Sequence, residues 1–161
     1  MKSVAYSLLI IILTISFTSC QENGIFFPEK ENIQGNFEVT IDGDIFLTND
    51  VNFTVSNQEI LISAFSTSTN ETLTLRVANF MDASFSLEGE NNVASYTINN
   101  LGIMDTWTTL NATSSRGNIQ FSEINFTNNT VSGTFSFIGR NQDLGASKAF
   151  SNGSFSNVPR N

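Results

Sequence analysis

Chemistry has few places to reside in this chain of 161 residues, which carries one cysteine, one tryptophan, fifteen carboxylates and no histidine. Without histidine there is no His-based triad, no imidazole general base and no ordinary zinc or copper site. The Ser-x-x-Lys spacing of a lysine-assisted serine nucleophile does not occur, nor does a phosphate loop ending in Gly-Lys-Ser/Thr. Carboxylates are the remaining acid–base material, and glycoside hydrolysis needs two of them facing each other across a sugar. Asp42, Asp44, Glu59, Glu88, Glu90 and Asp105 are the candidates, and all fall in expected turns or strand ends, where acids are ordinarily solvated. Asp42, Asp44 and Asp50, or Glu88, Glu90 and Asn91, have the oxygen chemistry that calcium uses, but Gly43 and Phe46 occupy positions the dense ligand loop needs. The expectation is no catalysis, no metal and no cofactor. Tyr96 and Trp107 are the ligand-binding candidates. Exposed, they would form a stacking platform for a sugar; buried, they would be core aromatics.

Cys20 ends the stretch "LLIIILTISFTSCQENG". A short cationic start, Met1-Lys2-Ser3, precedes about 14 apolar or small residues from Val4 to Phe17, fewer than the roughly 20 a helix needs to cross a bilayer. Residues 1–19 are expected to be a cleaved signal peptide. "FTSC" resembles a bacterial lipobox, with Phe17 where an aliphatic residue is usual. A lone cysteine has no disulfide partner within the chain, and acylation at Cys20 explains both its number and its place. Acyl chains gaining about 0.8 kcal/mol per buried methylene would hold the protein durably on a membrane. Residues 20–34 read as the lipidated cysteine and a polar tether interrupted by Ile25-Phe26-Phe27-Pro28.

Once the leader is removed, 142 of the 161 residues remain, enough for one domain with a sizeable core, carrying six basic residues against fifteen acidic ones. That balance excludes nucleic acid and adhesion to anionic lipid, both of which need clustered Lys and Arg. The membrane contact is then the lipid alone.

The elements that must position any site are strands. From residue 35 onward apolar residues alternate with Thr, Ser and Asn in short bursts bounded by Gly, Asn and Asp. "FEVTI" aligns Phe37, Val39 and Ile41, followed by the tight-turn pair Asp42-Gly43. "NFTV" and "ILISAF" flank a second hairpin at residues 56–59. "TLTLRV", "SFSL", "ASYTI" and "TWTTL" keep the period, and Val131, Gly133, Phe135 and Phe137 share a face in "TVSGTFSFIG". Parity flips between Phe121 and Ile124, which predicts a bulge near Ser122-Glu123. No window keeps a helical period. About ten short strands predict an all-β domain over residues 35–161, an antiparallel sandwich or flattened barrel, with a lipocalin-like closed barrel as the alternative. With few charges to guard sheet edges, those edges must be short, bulged or covered.

Six Asn-x-Ser/Thr triplets occur, close to the number that chance gives in a chain this rich in Asn, Ser and Thr. "FEVTIDGDIF", "VSGTFSFIG" and "FSNGSFSNV" resemble motifs of a family of small uncharacterised Bacteroidota lipoproteins. That resemblance implies an envelope lipoprotein and brings no activity. The expected protein is an outer-membrane lipoprotein bearing palmitate or a similar chain, non-catalytic, whose domain binds a glycan or a neighbouring envelope protein. The alternatives are a carrier holding an apolar ligand inside a Phe-lined barrel and, third, a carbohydrate-active enzyme using two of the carboxylates.

Overall fold

A computed structural model of the chain describes residues 34–110 and 117–161. Cys20, the leader and the tether lie outside the described residues. The described residues form eleven strands and no helix: β1 (Asn36–Ile41), β2 (Asp44–Thr48), β3 (Val51–Ser56), β4 (Glu59–Ser66), β5 (Glu71–Ala78), β6 (Ser84–Ser86), β7 (Val93–Asn100), β8 (Ile103–Thr108), β9 (Gly117–Asn125), β10 (Thr130–Asn141) and β11 (Ala146–Pro159). All form one sheet in the order β2-β1-β11-β10-β8-β7-β5-β4-β3, with β9 also on β10 and β6 on β9. Every strand pairing is antiparallel.

The sheet curls until its ends meet, giving a nearly closed barrel. Only residues 49–50 separate β2 from β3, and the two act as one bent stave that pairs with β1 in its first half and β4 in its second. The Thr48 hydroxyl donates to the Phe65 carbonyl at 2.7 Å, linking β2 to β4, and the Asn161 amide to the Phe53 carbonyl at 2.9 Å, stitching the seam. Phe53 also bridges to Arg160 in parallel. Closure is the fold's answer to a sequence with few charged edges, because a sealed sheet exposes fewer unpaired amides.

The expected hairpins form. Asp42 (φ 51°) and Gly43 (φ 103°) close β1 onto β2, and Asn57 (φ 50°) and Gln58 (φ 65°) close β3 onto β4, both left-handed pairs that match strand twist. The parity flip in β9 is a bulge: Glu123 pairs Ser132 while Phe121 pairs Gly133, leaving Ser122 as the extra residue. Gly133 permits this crossing, since a Cβ there would run into the Gln120 carbonyl oxygen and the Phe155 ring.

The barrel interior is filled by side chains. Phe37, Val39, Ile62, Leu73, Leu75, Val77, Phe135, Phe137, Phe150 and Phe155 belong to one buried cluster. Phe137 stacks on Phe150 with centroids 4.0 Å apart, Phe37 meets Phe135 at 5.1 Å, and Phe150 meets Tyr96 edge-on at 5.3 Å. A ring of about eight staves is just wide enough for such filling. The closed-barrel shape of the carrier alternative is present, and phenylalanine rings occupy much of the interior where an apolar ligand would sit.

Candidate functional site

Four hairpin turns lie at one end of the barrel: residues 42–43, 67–70, 101–102 and 142–145. The other end holds Asn36, which pairs Ser156, together with the C-terminal residues. Sequence places a chemically mixed set of residues at the first end. Strand alternation sets Ile41, Phe46, Tyr96 and Ile98 on the inner face below the mouth, while the turns and strand starts deliver Asp44, Thr69, Glu71 and Lys148. Together with Ile45 they enclose a cavity of about 280 Å³ in the mouth. Exposed apolar side chains also gather at this end, namely Ile45, Leu101, Ile103, Met104 and Leu144.

Tyr96 is the floor. Only 3% of it is exposed, and it is held edge-on by Phe46 at 6.5 Å and against Trp107 at 6.0 Å. Its pairing partners are Leu73 on β5 and Trp107 on β8, so the β5–β7–β8 register fixes its height in the barrel. Burial raises its phenol pKa well above the usual value; the hydrogen bond its phenol donates to the Glu71 carboxylate and the negative charges of Glu71 and Asp42 add to the rise.

Charge at the mouth is lopsided. Lys148 sits 3.3 Å from Asp42 Oδ2 and 5.0 Å from the centre of the Trp107 ring, so its ammonium already has a carboxylate and an aromatic face. Asp42 also accepts the Ala149 amide at 2.8 Å through Oδ1, which pins the β1–β2 turn to β11. Among the described residues Asp44 and Glu71 make no ion pair. The mouth therefore gathers Asp44 and Glu71 above the Tyr96 floor, with Lys148 in the same lining.

Each candidate has a definite place. Tyr96 and Trp107 are brought together, but at 3% and 6% exposure their faces are covered, and the surface stacking platform for a sugar is not formed. Trp107 Nε1 is buried without a hydrogen-bond partner among the described residues. The six acids do not converge: Asp42 and Asp44 are at the mouth, Asp105 is on β8 beside Ile98, Glu59 pairs Arg76 at 3.9 Å near the opposite end, and Glu88 and Glu90 lie in the β6–β7 connection. Among the described residues no three acids or thiols are grouped to hold a metal ion. Glu71 and Lys148 were not singled out by sequence, because nothing local marks them; only the register, which sets Glu71 opposite Ile98 and Asp42 beside Ala149, brings them to one cavity.

Fold and site together define a small antiparallel barrel with a packed interior and a ligand-sized hollow at its hairpin mouth. Residues 33–159 match a family described as a domain of unknown function (DUF6252), and the chain belongs to that family. No curated protein and no solved structure matches it.

Proposed function

We propose that this protein is an envelope lipoprotein, anchored through acylated Cys20, whose barrel is a non-catalytic binding module that takes a small ligand at the mouth. The observation that carries the reading is the cavity of about 280 Å³ lined by both apolar and charged side chains. Ligand sites are typically concave, mostly apolar and furnished with a few polar groups, and they occur in the mouths of barrels. The volume lies just below the range of about 300 to 1,000 Å³ that holds drug-sized molecules, so it suits a single side chain or a small metabolite rather than an acyl chain or an oligosaccharide. The aromatic packing of the interior favours binding at the mouth, and the resemblance of the sequence motifs to Bacteroidota lipoproteins supports the envelope setting.

The test is isoleucine-methyl NMR of the full chain against a library of chemically diverse fragments. Binding at the mouth shifts Ile41, Ile45 and Ile98 and leaves Ile60 and Ile119, buried elsewhere, in place. A library that moves none of the three mouth methyls refutes the binding reading. The anchor is tested separately by labelling cells with palmitate: the native protein takes up label and Cys20→Ala does not, whereas equal absence of label in both removes the lipid.

A further inference from the structure

We infer that the barrel mouth takes an extended segment of another protein, which pairs its backbone with the free edge of β2 and turns one side chain into the cavity. This deepens the binding reading above and depends on it.

The seam is fastened unevenly. Its lower half is covered: β3 pairs with β4, and on its other side Phe53 bridges to Arg160 and accepts the Asn161 amide. Midway, Thr48 reaches the Phe65 carbonyl. From there to the mouth β2 has β1 on one side and, among the described residues, no strand on the other, so it ends the sheet order. The cavity lies along that gap, since its lining joins Asp44, Ile45 and Phe46 of β2 to Thr69 and Glu71 of the facing hairpin.

Register specifies which backbone groups are bare. The two-residue turn at Asp42-Gly43 makes Ile41 and Asp44 a hydrogen-bonded pair, and antiparallel bonding alternates. Phe46 and Thr48 therefore also face β1, while Ile45 and Leu47 point their N–H and C=O groups outward. Two donors and two acceptors stand along β2 with a repeat of about 6.8 Å, twice the antiparallel rise per residue. An extended backbone repeats its own groups at that spacing; a compact metabolite does not.

Nothing on the strand guards this edge. β2 pairs with β1 without a register shift and carries neither proline nor lysine, the usual devices against strand addition. Instead its outer face bears Ile45 and Leu47, 69% and 58% exposed, which offer an added strand apolar cross-strand neighbours. On the inner face at the same level is the cavity. Side chains of an added strand alternate, so the residue between the two that flank Ile45 and Leu47 is directed inward, where about 280 Å³ admits one side chain. The partner segment therefore has apolar residues on either side of the inserted one.

The experiment adds acetylated, amidated pentapeptides, each with a varied central residue between two valines, to the full chain in a neutral detergent. The readouts are the Ile41, Ile45 and Ile98 methyl shifts and hydrogen exchange at the Ile45 and Leu47 amides. In the free protein these two amides should exchange at least tenfold faster than those of Phe46 and Thr48; equal rates would show the edge already covered and would overturn strand addition. A bound peptide is expected to slow them at least tenfold. N-methylating one alternate set of its amides should weaken binding at least tenfold while the other set is tolerated, and equal effects of the two sets count against backbone pairing. Leu47→Pro removes an outward donor and should abolish peptide binding while small fragments still shift the mouth methyls. If that variant does not fold, Leu47→Lys should weaken the peptide in the same selective way. Peptides that shift the methyls without protecting the two amides overturn strand pairing and leave the mouth a binding site. So do fragments that shift the methyls when no peptide does. Protection of the same amides that grows with protein concentration alone makes a second copy the occupant and overturns the separate partner. If neither peptides nor fragments move these methyls, both readings fall together.

Discussion

Tyr96 shows how a single residue can couple the core to the mouth. Its ring belongs to the aromatic column and its phenol answers to the carboxylates above it. Because folding raises the phenol pKa, the folded and unfolded chains bind protons alike below the ordinary tyrosine value of about 10. Above it the unfolded chain loses a proton that the folded chain keeps, so stability falls as pH rises further. Denaturant melts collected across alkaline pH should show that decline, and Tyr96→Phe should flatten it. Trp107 offers a second check at this scale. Its covered indole should emit at short wavelength, resist acrylamide, and stay unmoved by mono- and oligosaccharides; a red-shifted, quenchable signal would restore the surface platform. Sequence narrowed these two residues to core or platform, and only the register distinguished the two, by turning both rings inward.

At the scale of elements, β11 explains where pattern reading reached its limit. Its buried residues are Phe150, Gly153, Phe155 and Val158, spaced three, two and three apart, so alternation breaks twice within one strand of 14 residues. The cause is a pair of bulges. Between Phe135 and Phe137 on β10 the opposing strand advances three residues, and it does so again between Val131 and Gly133. Asn152 (φ 53°) and Asn157 (φ 48°) sit in the left-handed conformation at these two places, where the short polar side chain of Asn tolerates a geometry that β-branched residues resist. Asn152→Val should therefore cost about 1 to 2 kcal/mol in chemical denaturation, whereas Asn152→Gly should be near neutral. The bulge at Ser122 was legible because apolar residues flank it on both sides; those in β11 were not, because Asn and Gly there mimic a turn. Gly153 lies beneath the Phe135 ring, with 2.6 Å between the ring and an added Cβ, and Gly153→Ala is expected to cost about 1 to 3 kcal/mol by forcing that ring aside.

For the whole molecule, strand count, hairpins and most of the buried face could be read from alternation, since each is a local consequence of a two-residue period. Closure could not. It rests on Thr48 meeting Phe65 and Phe53 meeting Asn161 across the seam, and no short window contains two sides of those contacts. The mouth was hidden for the same reason, being assembled from β1, β2, β5, β7, β11 and the β4–β5 turn. Removing residues 160–161 should unfasten the seam near β3. Loss of hydrogen bonds worth about 1 kcal/mol each predicts a small drop in stability, with faster amide exchange in β3 than in β5. Equal protection of the two strands would show that the seam is held by packing alone.

The placement of the first strand has a mechanical corollary. Asn36 enters at the end opposite the four turns of the mouth, and β1 is hydrogen-bonded along its length to β2 on one side and β11 on the other. A tug applied at the turns and resisted at Asn36 runs parallel to the strands, across rungs that lie perpendicular to it. Those rungs are loaded in shear and must give way together rather than unzip one by one, so the domain is built to bear tension along its axis.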